Sequence, residues 1–196
     1  LNAVFLDRDG VLIEDNGLLV NIAEIRLLPS VPQALGQLKA AGFRLVVVSN
    51  QPVVARGLLD EAGVRQVQAV VEARLRECGG PALDGFYFCP HHPQANLPAY
   101  RCACACRKPE PGMLLQAADA LGLDLAASFM VGDRPSDVAA GVKAGCRTVL
   151  LRTGRHADKP ISGVTQTDLA LTPDYTCDGL LDAAAWMLQF RSVFRL

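Results

Sequence analysis

No run in this 196-residue sequence approaches the roughly 20 consecutive apolar residues that a helix needs to cross a bilayer, so no membrane partner is expected. The amino terminus has neither the basic segment nor the apolar run of a secretory signal, which points to a cytoplasmic location; Leu1 in first place predicts a processed or trimmed start. An excess of one charge is missing too. With 19 Lys and Arg against 20 Asp and Glu, the formal net charge is -1, and composition makes no electrostatic case for nucleic acid or an anionic surface. Neither a GxGxxG nor a P-loop pattern occurs, so no nicotinamide or ATP requirement follows. Internal repeats, heptads and low-complexity tracts are also absent.

What is present is a chain that is 51% hydrophobic and 20% charged, long enough for one substantial core. A single domain over residues 1–196 is expected, and a monomer. Residues 3–6 make a short apolar strand candidate that breaks into charge at Asp7. VPQALGQLKAAG, from Val31, carries apolar residues at helical spacing, and GFRLVVVSN, ending at Asn50, reads as a buried strand. A discontinuous helical stripe runs from Leu58 to Glu77, with Gly63 near its start. FYFCP is a strand entering a turn, PGMLLQAADALG a helix with Pro111 in its first turn and Gly122 near its end, and ASFMVGD a further strand. SDVAAGVKAG, CRTVLL and LLDAAAWMLQF continue as helix, strand and amphipathic helix.

This alternation predicts an α/β fold, a mainly parallel sheet with helices on both faces. Ligand groups in such sheets collect beyond the strand carboxyl ends. Asp7 and Asp9, Ser49 and Asn50, and Asp133 all stand at such ends, so one shared pocket is expected. Two insertions, Asn16 to Pro29 and Pro90 to Arg107, are placed to shape its entrance. Asp7 and Asp9 would alternate faces if the strand continued, but Gly10 lets the chain turn so that both acids address one site. A magnesium ion, which favours oxygen ligands, could use carboxylates from Asp7 and Asp133. A calcium-binding helix-loop-helix fits poorly, because the third alternating position is Val11.

The seven cysteines are too few for a disulfide scaffold at this length, and their number is odd. Cys78, Cys146 and Cys177 stand apart in apolar or helical surroundings and are expected to be buried small side chains. The remaining four crowd into residues 89–106. Cys89 and His91 offer one close ligand pair, and either Cys102 with Cys104 or Cys104 with Cys106 offers a second. Three thiolates and one imidazole make a closed tetrahedral zinc site with no open position for a reacting water. A disulfide under oxidising conditions is the weaker alternative, because it leaves the Cys-x-His pair without a purpose.

FLDRDG, VVSN, the lysine of CRKP and VGDRPSD, in that order, resemble the four motifs of the haloacid dehalogenase-like superfamily of phosphohydrolases. The resemblance implies a Rossmannoid three-layer sandwich, here without room for a large cap domain. It implies that Asp7 attacks phosphorus to form an aspartyl-phosphate, and that Asp9 protonates the leaving oxygen and then activates water. Ser49 and Lys108 would hold phosphate oxygens, Asp7, Asp9 and Asp133 would hold magnesium, and Asp137 would support Lys108 or a metal-bound water. These roles suit the residue types: a carboxylate forms a mixed anhydride with phosphate, and cations offset the charge that gathers around it.

CPHHP at residues 89–93, together with CACRKPEPGM at residues 104–113, is similar to the branch of small phosphatases that act on the 7-phosphate of D-glycero-D-manno-heptose 1,7-bisphosphate. A histidinol-phosphate phosphatase branch shares the zinc loop, but ARG at residues 55–57 and RTGR at residues 152–155 favour the heptose branch. Pro52 and Val53 depart from its usual turn after SNQ. The resemblance selects Cys89, His91, Cys104 and Cys106 as the zinc ligands and leaves Cys102 outside. It implies a small phosphorylated sugar as substrate, contacted by Arg107, with Asn50, Arg56 and Arg152 as further candidates. A nonenzymatic zinc-containing interaction module is the alternative of a different class, and it leaves Asp7, Ser49, Lys108 and Asp133 unexplained.

Overall fold

The computed structural model describes residues 1–154 and 163–193. Six strands, β1 (Ala3–Leu6), β2 (Arg44–Asn50), β3 (Gly85–Cys89), β4 (Phe129–Gly132), β5 (Arg147–Leu151) and β6 (Tyr175–Cys177), form one sheet in the order β3-β2-β1-β4-β5-β6. Every pairing between them is parallel. The helices are α1 (Val31–Ala40), α2 (Pro52–Ala55), α3 (Glu61–Glu77), α4 (Gly112–Leu121), α5 (Pro135–Ala144), α6 (Gln166–Leu169) and α7 (Leu180–Val193). None among the described residues is long and apolar enough to cross a membrane.

Parallel strands buried on both faces need apolar side chains at successive positions, which is why AVFL and LVVV carry no alternation. Val4 and Leu6 pack with α1, α3 and α7 through Leu35, Val71 and Ala184, whereas Ala3 and Phe5 meet Met113 and Ala117 of α4 and Ala140 of α5. Two apolar layers thus sandwich the sheet. Each fully buried Leu or Phe contributes about 1.5–3 kcal/mol relative to exposure, and the catalytic loops therefore hang from a stiff frame.

The order in which strands are added reverses at β1: β2 and β3 lie on one side of it, β4 to β6 on the other. A crevice opens beyond the carboxyl ends at that switch point. Leu6 is level with Val47 on one side and Val131 on the other, so the chain enters the crevice together at Asp7, Ser49 and Asp133. A separate cavity of 370 Å³ near Phe43, Phe129 and Phe190 sits at the opposite ends of the strands and is lined mainly by apolar surface.

Several local expectations differ from the structure. The stripe from Leu58 becomes helical only at Glu61, because the Asp60 carboxylate caps it by accepting from Gly63 N–H at 2.7 Å. Pro111 precedes α4 as its cap rather than lying inside it. Strand β6 is an addition to the sequence reading. Cys146 and Cys177 are buried, but Cys78 is exposed, since it caps the solvent end of α3.

Candidate active site

Lys108 is the centre of the crevice's charge. Its side chain is only 1% exposed, and Nζ lies 3.0 Å from Asp7 Oδ1, 2.6 Å from Asp137 Oδ1 and 2.8 Å from the Val48 carbonyl. Two ion pairs and one hydrogen bond surround the ammonium. Burial alone would lower the lysine pKa, but the carboxylates of Asp137 and Asp7 outweigh it and raise the value, so the ammonium stays charged. Burial raises the Asp137 carboxyl pKa against the pull of Lys108.

The lysine is delivered by a backbone clamp. Asn50 Nδ2 donates to the Lys108 carbonyl and Asn50 Oδ1 accepts from Lys108 N–H, both at 3.0 Å. Asn50 lines the crevice, but its amide holds the loop rather than waiting for a ligand. The next strand position makes the same point: Asn50 is in register with Cys89, the first of the clustered cysteines.

Asp7 Oδ1 accepts from Arg8 N–H at 2.8 Å as well as facing Lys108. Asp7, Asp133 and Asp137 bring carboxylate oxygens within 4.8 Å of one another, a hard oxygen set of the kind magnesium takes. Asp133 is wholly buried. A Cβ on Gly10 would fall 2.5 Å from Asp133 Oδ2, and one on Gly154 would fall 2.1 Å from it, so two loops press bare backbone against this acid. The donors and the confined space fit a small divalent cation. The Asp9 carboxylate does not join them. Arg8 NH2 pairs with Asp9 Oδ2 at 3.0 Å and Gln51 Nε2 donates to the same oxygen at 2.9 Å, so its side chain lies outside the three-acid group. Burial raises the Asp9 pKa against the lowering influence of Arg8, a direction that favours a proton-carrying role.

Asp7, Asp9, Asn50, Gln51, Arg56, Arg107, Lys108 and Arg134 line a cavity of 280 Å³, together with Gly17, Leu18 and Leu19 of the first insertion. Arg107 NH1 donates to the His91 carbonyl at 3.1 Å, while its buried Nε has no partner among the described residues. Arg56 is exposed at the rim. Ser49 is buried just behind, with its Oγ 2.9 Å from Gln51 Nε2. Arg152 is not brought to the cavity: it is exposed and pairs with Asp178 at 2.6 Å. Arg155 of the same RTGR segment lies outside the described residues.

Three residues that the sequence reading passed over belong here. Arg8 is 1% exposed, bonded to Asp9 and Gln51. Arg134 reaches Asp15 at 3.0 Å, pinning the first insertion to the turn that carries Asp133 and Asp137. Gln51 is the third. The only sequence signal for any of them is position beside a motif acid or serine.

Cys89, His91, Cys104 and Cys106 form the second cluster. The sulfur atoms stand 3.5 Å apart for Cys89 and Cys104, 3.1 Å for Cys89 and Cys106, and 3.3 Å for Cys104 and Cys106. His91 Nδ1 lies 3.7 Å from Cys89 Sγ and 3.5 Å from Cys106 Sγ. Ligands about 2.3 Å from a tetrahedral zinc are separated by about 3.8 Å, close to these edges. A disulfide needs a sulfur separation of about 2.05 Å, which none of them approaches. All seven cysteines are free, and Cys102 is exposed, outside this cluster.

The family profile described as haloacid dehalogenase-like hydrolase matches residues 12–141. The chain belongs to the haloacid dehalogenase-like hydrolases. A protein named D-glycero-beta-D-manno-heptose-1,7-bisphosphate 7-phosphatase from Escherichia coli (strain K12) is 46% identical to this hydrolase over 154 residues, 78% of this chain and 80% of the relative. One of the same name from Haemophilus ducreyi is 44% identical over 170 residues, covering 86% and 92% of the two chains. A crystal structure of D,D-heptose 1,7-bisphosphate phosphatase from B. bronchiseptica, complexed with magnesium and phosphate, matches with a TM-score of 0.78 and 33% identity over 97% of this chain and 99% of that one. As a haloacid dehalogenase-like hydrolase, the present chain has only a short 3-10 turn and α1 between its first two strands.

Proposed function

We propose that this protein is a magnesium-dependent phosphomonoester hydrolase that removes the 7-phosphate of D-glycero-D-manno-heptose 1,7-bisphosphate. The observation that carries the reading is the convergence of Asp7, Asp133, Asp137 and Lys108 in one open crevice, in a chain 46% identical to a phosphatase of that name. Asp7, Asp133 and Asp137 would hold the magnesium, whose charge offsets that of the carboxylates and the phosphoryl oxygens. An Asp7 oxygen attacks phosphorus as the bond to the sugar oxygen breaks, and Asp9 gives its proton to that departing oxygen. A water oxygen then attacks the aspartyl-phosphate, passing a proton to Asp9 as the Asp7–phosphorus bond breaks. Lys108 and the Ser49 hydroxyl hold phosphate oxygens, and Arg107, with its free Nε, meets the second phosphate or the sugar hydroxyls.

Release of the 7-phosphate should be faster than hydrolysis of histidinol phosphate by about 100-fold or more in kcat/KM, since the latter offers Arg56 and Arg107 no second phosphate. The check is a phosphate-release assay on both substrates, with the released position read by NMR. A preference for histidinol phosphate sinks the substrate assignment.

Cys89, His91, Cys104 and Cys106 are proposed to hold a structural zinc, which ties residues 89–106 to the sheet and presents Arg107 and Lys108 directly after its last ligand. Support comes from the near-tetrahedral spacing of the four donors. Anaerobically purified protein should contain about one zinc per chain. Metal analysis of Cys104→Ser and Cys106→Ser should show most of it lost, and Cys102→Ser should retain it; the reverse pattern would refute this ligand register. The proposed setting is the cytoplasm.

A further inference from the structure

Gln51 is 5% exposed and carries no charge, yet it touches three members of the site. Its Nε2 is 2.9 Å from Asp9 Oδ2 and 2.9 Å from Ser49 Oγ, and its Oε1 is 3.0 Å from Arg8 NH2. The orientation of the amide follows from chemistry. A guanidinium donates and never accepts, so the amide oxygen must face Arg8, and the amide nitrogen must face the other two. Both of its N–H bonds are then committed, one to the Asp9 carboxyl and one to the Ser49 oxygen. Because Ser49 accepts from Gln51, its own hydroxyl proton points elsewhere and is available to a phosphate oxygen. Asp9, held on Oδ2 by Gln51 and by Arg8, is left with Oδ1 bonded only through Arg8.

We infer that Gln51 is a positioning residue that aims the Asp9 carboxyl at the leaving oxygen. The inference rests on the proposed proton-donating role of Asp9. Anchoring of the amide by Arg8 from behind makes the bracket rigid: Arg8 is fully enclosed and bonds Asp9 and Gln51 together.

The test compares two leaving groups in single-turnover experiments at saturating substrate, where the release of alcohol or phenol reports phosphoryl transfer to Asp7. D-glycero-β-D-manno-heptose 1,7-bisphosphate expels an alkoxide that needs a proton, whereas p-nitrophenyl phosphate expels a phenolate that does not. Gln51→Met should slow transfer from the heptose substrate by about 10- to 100-fold, and from p-nitrophenyl phosphate by less than about 5-fold. The ratio is unaffected by the fraction of folded protein. Gln51→Asn, whose amide is one methylene too short to reach both partners, should show the same selectivity and serves if the Met variant does not accumulate. Equal losses on both substrates for the Gln51 variants, beside a selective loss for Asp9→Asn, would overturn the positioning role. Equal losses for Asp9→Asn itself would instead bring down its assignment as the acid, and the inference with it.

Discussion

Asp7→Asn is expected to lower turnover at least about 10⁴-fold while the protein remains folded. The substitution preserves shape, and the new amide oxygen still accepts from Arg8 N–H, as Asp7 Oδ1 does at 2.8 Å. What it removes is the ability to form a mixed anhydride with phosphate. It also takes one negative charge from a group of three buried carboxylates, which relieves repulsion there, while Lys108 keeps its pairing with Asp137 at 2.6 Å. Rapid quenching of the parent protein with labelled substrate should trap a hydroxylamine-sensitive phosphoryl group on the chain, and the Asn variant should yield none. Normal turnover in a folded, contaminant-free Asn variant would remove Asp7 from the nucleophile's role.

A second large effect is expected for Lys108→Met, and it is double. Turnover should fall about 10³-fold, because the substitution takes away a buried cation facing the phosphate. Stability without magnesium should fall by about 3 kcal/mol, because Asp7 and Asp137 lose the charge that compensates their burial. Added magnesium should return much of the stability and little of the activity, since a divalent ion supplies charge to the acids but not the directed N–H bonds. Denaturant melts with and without magnesium, alongside assays, separate the two effects. If the metal-free variant is as stable as the parent, Lys108 does not balance those acids.

The alternation of buried strands with helices was legible because parallel strands enclosed on both faces must be apolar at nearly every position: Val4 to Leu6 and Leu45 to Val48 announce themselves. Strand β6 carries no such run. Its three residues, Tyr175 to Cys177, join the edge of the sheet through pairing with β5, a tertiary fact without a local pattern. In the site, motif order placed Asp7, Ser49, Lys108 and Asp133 at strand ends. Arg8 was illegible since an arginine between two aspartates reads as solvated charge; it is enclosed because Gln51, 43 positions later, turns its amide oxygen to it. Arg152 failed in the opposite sense. Its motif position suggested a ligand contact, but Asp178, just beyond β6, draws the side chain to the outside.

Gly10 and Gly154 press against Asp133 from loops that follow the first and fifth strands, while Asp7 and Asp137 approach it from β1 and α5. The acidic group is thus assembled only when segments far apart in the chain have all docked. An opened or partly folded molecule has the same aspartates but no enclosure for them, so the proposed magnesium would bind the native state in preference and shift the folding equilibrium by mass action. The proposed ion's retention would consequently gauge intactness: an excursion that separates the first strand from the fourth takes the acidic group apart.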